Sequence, residues 1–121
     1  MTTVRVTQPN SVRVGQYYRC GWGYDQTQYD FLIVTAVSAS GKQATCRMVH
    51  PVHVGEDAGT DHLVPGEPFG ETFHMAVRSA GYYGPTLRGS YQFAGSSKRL
   101  DTFFFTESGH VAYQTSWNAG H

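Results

Sequence analysis

A chain of 121 residues, 40% hydrophobic and 14% aromatic, suits a single domain and is too apolar for a disordered tail. Nine basic and nine acidic residues cancel, which argues against a duplex-DNA binder, because such proteins carry a basic excess against phosphates. No stretch approaches the roughly 20 apolar residues that span a bilayer, so no membrane partner is expected. Met1-Thr2-Thr3-Val4-Arg5 lacks the apolar run of a secretory signal. With no export signal, Cys20 and Cys46 are expected as reduced core thiols in a cytosol, too few for a disulfide scaffold.

Residues 1–16 read as a lead-in broken at Gln8-Pro9-Asn10-Ser11, after which Val12 and Val14 carry the chain to Gly15. Tyr17 to Tyr24 reads as an aromatic-rich strand, Asp25-Gln26-Thr27-Gln28 as a polar connection, and Tyr29 to Val37 as a long strand. Ser38 to Lys42 is a turn, with Gly41 available for positive φ. In the third strand, Gln43 to Val49, Ala44, Cys46 and Met48 share one face and Thr45, Arg47 and Val49 the other.

From His50 to Glu71 no period survives among Pro51, Pro65, Pro68 and four glycines. The expectation is a long irregular loop, of a kind that is uncommon unless functional or mobile. Alternation returns with Phe73, Met75 and Val77, then with Leu87, Gly89, Tyr91 and Phe93. Thr102 to Thr106 holds three consecutive Phe, and with His110 to Ser116 it suggests a final hairpin. No window shows helical periodicity. The expected fold is all-β, a small antiparallel barrel or sandwich over residues 1–121 with one long loop at about 50–71.

The segment Gly21-Trp22-Gly23-Tyr24-Asp25-Gln26-Thr27-Gln28-Tyr29-Asp30-Phe31 resembles a family of short proteins of bacteriophages, plasmids and other mobile elements. Its members carry Trp-Gly-Tyr-Asp/Glu-Gln-Thr, a variable pair, then Asp-Phe/Tyr. The firm match covers residues 15–49, including Leu32 to Val37 and Thr45-Cys46-Arg47, and Gln28 stands where many relatives have Asn. A weaker likeness covers Gly109 to Ser116 and the terminal Gly120-His121. The resemblance implies a mobile-element origin and an intracellular site of action, and it implies no reaction and no catalytic residue.

Two readings of that segment stand side by side. In one, Trp22 and Tyr24 fill the core, Asp25 or Thr27 bonds turn amides, and Asp30 braces the loop. In the other, Trp22, Tyr24, Asp25, Gln26 and Asp30 line a shallow binding site with an aromatic floor.

His50-Pro51-Val52-His53, with Glu56, Asp57, Asp61 and His62 following, holds ligand types that suit zinc or iron. On extended backbone, however, residues three apart face opposite sides, so His50 and His53 converge only if Pro51 bends the chain. Neither Cys has a His beside it, no nucleophile elbow is present, and no Gly-rich loop leads into a helix. Tyr82, Tyr83, Arg88, Tyr91, Lys98 and Arg99 supply the aromatic and basic ingredients of a single-strand nucleic-acid binder.

The function expected is therefore binding rather than catalysis, by a small accessory protein with no cofactor in the cytoplasm of a bacterial host. A protein partner comes first, bound through Trp22, Tyr24, Asp25, Gln26, Asp30, Tyr82, Tyr83 and Arg88. Single-stranded nucleic acid comes second, and a metal enzyme built on His50, His53 and His62 third. An edge strand pairing with a second copy would give a homodimer.

Overall fold

The computed structural model describes residues 11–22, 28–57, 60–79, 84–91, 99–106 and 112–115. Every regular element among them is a strand: β1 (Tyr17–Trp22), β2 (Gln28–Val37), β3 (Gln43–Asp57), β4 (Thr60–Ser79), β5 (Pro85–Tyr91), β6 (Arg99–Thr106) and β7 (Ala112–Thr115). They pair antiparallel in the order β3-β2-β1-β6-β5-β4, and β3 pairs with β4 in turn, which closes a six-stranded barrel. β7 adds to the free side of β4 at Thr60–Leu63. The all-β expectation holds, and of barrel and sandwich the chain forms the barrel.

Alternation builds the interior. Tyr18, Cys20, Leu32, Val34, Ala44, Cys46, Met48, Met75, Leu87, Tyr91 and Phe103 form one buried cluster, with Val12 from the lead-in packed into it. Ala44, Cys46 and Met48 turn inward, as their shared parity requires. Gly89 faces inward too, and a methyl group added there would lie 2.6 Å from Met75 Sδ, so its missing side chain makes room for the methionine. The Ser38–Lys42 turn closes through Ser38 N–H donating to the Gln43 carbonyl at 2.9 Å, with Gly41 at φ 74. Both cysteines are free thiols, buried on strands that β2 separates.

The segment from His50 to Glu71 differs from the sequence-based expectation, because its described residues, 50–57 and 60–71, are strand and not loop. β3 and β4 run on past the barrel as a long hairpin arm, whose ladder extends to Asp57 opposite Thr60. Register shifts between Cys46 and Met48, Val49 and Pro51, and His53 and Gly55 change the parity repeatedly, so no single alternation survives in the sequence. Pro51 lies directly opposite Pro65. In an antiparallel ladder such a pair exchanges two hydrogen bonds or none, and two residues without N–H groups fit the second kind.

The arm does not merely project. Leu63 packs with Phe31 and Val49 on the outer face of β2 and β3, with Tyr17, Tyr29 and Ile33 around them. This second, smaller cluster lies outside the barrel wall. One barrel end gathers the arm, the C-terminal ends of β1 and β5, and the N-terminal ends of β2 and β6. The opposite end holds the 38–42 turn and the 11–16 segment, where Gly15 N–H donates to the Val34 carbonyl at 2.8 Å.

Candidate functional site

At the arm end of the barrel, three polar side chains meet inside. Asp30 on β2 alternates with Leu32, Asp101 on β6 with Phe103, and Tyr91 on β5 with Gly89, so all three share the inward parity of the core. The Tyr91 hydroxyl donates to Asp30 Oδ2 at 2.7 Å and lies 3.3 Å from Asp101 Oδ2. A phenol has a single hydrogen to give, so the shorter contact takes it and the longer shares it. The Tyr91 ring, 1% exposed, is held edge-on against Phe103 at 5.1 Å and lies 6.3 Å from Phe73.

β2 and β5 lie on opposite sides of the closed barrel, so the Tyr91–Asp30 bond ties its walls together across the interior. Asp30 thereby braces one wall against the other, in line with the structural reading of the segment, in which it acts as a brace. Asp101 was not singled out from the sequence, although an acidic residue in step with Phe103 on an apolar face was the available clue.

Of the other expected site residues, Trp22 ends β1 with its backbone opposite Gln28. Its side chain and the whole of Tyr24, Asp25, Gln26, Tyr82 and Tyr83 lie outside the described residues. Arg88 sits on the outer face of β5 and donates through Nη1 to Thr102 Oγ1 at 2.7 Å. Asp30 and Arg88 therefore point to opposite sides of the wall and form no common site.

The Cys46 thiol is not a nucleophile at neutral pH. Burial pushes the Cys46 thiol up to about 12, far above the range in which a thiolate attacks. The Tyr18 phenol is also pushed up to about 12, by burial first and by neighbouring Cys46 second. Its hydroxyl donates to Gln16 Oε1 at 3.1 Å.

On the arm, the histidines separate. The His50 ring stacks on Phe69 with centroids 3.9 Å apart, while His53 Nε2 lies 3.2 Å from Asp61 Oδ1 on the arm's other face. His62 stands opposite Gly55. Among the described residues no three His, Cys, Asp or Glu side chains gather as metal ligands would. No helix of the described residues is long and apolar enough to cross a membrane.

The arm's open face is apolar. Val52 stands opposite Val64, and Val52 and Val54 are 44% and 53% exposed. No protein-family model, curated protein or solved structure matches this chain.

Proposed function

We propose that this chain is a small non-enzymatic accessory protein of a phage or related mobile element, acting in the bacterial cytoplasm by binding a protein partner through the β3–β4 arm. The observation that carries the reading is the pair of solvent-facing valines, Val52 and Val54, on a ribbon whose other face rests on the barrel through Leu63. Apolar side chains grouped on open sheet are characteristic of protein contact surfaces. Burial holds the Cys46 thiol protonated at neutral pH, which favours binding over thiol chemistry. The likeness of residues 15–49 to mobile-element proteins supports the origin. Closure of the barrel uses both sides of its six strands, so among the described residues the strand edges open to a second copy are those of the arm and of β7.

The test is affinity capture from bacterial lysate with the wild-type chain and with a Val52→Asp/Val54→Asp variant. A defined partner held by the wild type and lost by the variant, at unchanged circular dichroism, is expected. Capture of the same proteins by both would remove the arm from the account.

A further inference from the structure

The zero net charge of the chain conceals a separation of charge by the barrel wall. Among the described residues, β1, β2, β5 and β6 carry two carboxylates, Asp30 and Asp101, and both turn inward to Tyr91. Of the cations on the same strands, Arg19 and Arg88 lie on the outer face, and the side chain of Arg99 at the start of β6 lies outside the described residues. Other carboxylates of the described strands, Glu56, Asp57, Asp61, Glu67 and Glu71, belong to β3 and β4. The outer wall across β1, β6 and β5 thus presents positive charge with no described carboxylate to neutralise it.

Aromatic rings interleave with those cations. Phe104 stands directly opposite Arg19 in the β1–β6 ladder and is 51% exposed, an uncommon position for a phenylalanine on a small barrel. On the other side of Arg19, the Tyr29 ring holds the guanidinium 5.3 Å from its centroid. Arg88 faces the same surface one strand beyond β6, fixed by Thr102. The arm buries Phe31 and so bounds the open surface at Tyr29.

We infer that this outer wall binds single-stranded nucleic acid, with Phe104 stacking a base and Arg19 and Arg88 holding phosphates on either side. An exposed ring accepts any unpaired base face, and flanking guanidiniums track a backbone without reading sequence. A duplex offers no free base face to Phe104 and is excluded as the preferred ligand. The surface differs from the one expected from the sequence: Arg88 is retained, while Tyr91 is core.

The test is fluorescence anisotropy of labelled oligo(dT) and oligo(U) against a duplex of equal length and against a poly-glutamate peptide, over a salt series. Two phosphate contacts on a single strand predict a log–log salt slope of about −1.4, from about −0.7 each. Arg19→Gln/Arg88→Gln should flatten that slope towards zero, and Phe104→Ala should weaken binding by roughly tenfold or more at unchanged slope. Phe104→Tyr should keep the affinity, and Val52→Asp/Val54→Asp should leave it unchanged. Circular dichroism of each variant separates lost binding from lost fold. No anisotropy change at low salt would overturn the inference. So would equal affinity for duplex or poly-glutamate, or indifference to Phe104→Ala, and none of these bears on the arm.

Discussion

The barrel and the arm are built largely from the same two strands, β3 and β4, and they are stabilised differently. In the barrel, each strand is paired on both sides and one face of every strand enters a continuous core. In the arm, β3 beyond Pro51 is paired with β4 alone among the described residues, the register slips twice more, and only Leu63 joins a buried cluster. One ribbon can therefore be scaffold along half its length and an exposed surface along the rest. The difference lies in what its inward face meets.

Alkali should separate the two regions most strongly. Cys46 and Tyr18 are neutral acids whose folded values, about 12 for each, exceed the unfolded 9.0 and 10.0. Between those limits the unfolded chain has released the protons and the folded chain still holds them. Stability is accordingly full below pH 9 and falls as pH rises from 9 towards 12, by several kcal/mol. Urea melts followed across that range should show the fall. A flat profile would mean that the barrel interior is not the dry core described.

Next in size, Phe103→Ala should cost about 3–5 kcal/mol by opening a cavity among Tyr91, Leu87 and their neighbours. Tyr91→Phe removes only the hydroxyl between Asp30 and Asp101. It should cost about 1–3 kcal/mol, because the carboxylates keep their burial and lose a donor. Chemical denaturation measures both. A neutral Tyr91→Phe would show that the walls are not tied through that bond. On the arm, His53→Ala removes a solvent-exposed contact with Asp61 and should shift stability by less than about 0.5 kcal/mol.

The same contrast governs what could be foreseen. The strands of the barrel were legible because Ala44, Cys46, Met48 and Leu87, Gly89, Tyr91 keep period two, and that period is a direct consequence of extended backbone. The arm was not, since each bulge moves the apolar set to the other face and Pro51, Pro65 and Pro68 read as breakers until the ladder shows them opposite one another or opposite Val49. For the site, Asp30 was visible as a polar residue beside an aromatic strand, but its partner was not. Tyr91 is 61 residues away, and only barrel closure brings it near. Phe104 was hidden in plain view: of three consecutive Phe on a strand, the middle one must face away from its neighbours.

Native-state hydrogen exchange tests the central claim, that a closed barrel carries the stability and leaves the arm as separately opening surface. The amides of Tyr18, Leu32, Cys46, Leu87 and Phe103 are expected to exchange only through global unfolding, while those of residues 52–56 exchange through local opening at much lower free energy. Equal protection in both regions would contradict the account, because the arm would then belong to the same cooperative unit as the barrel.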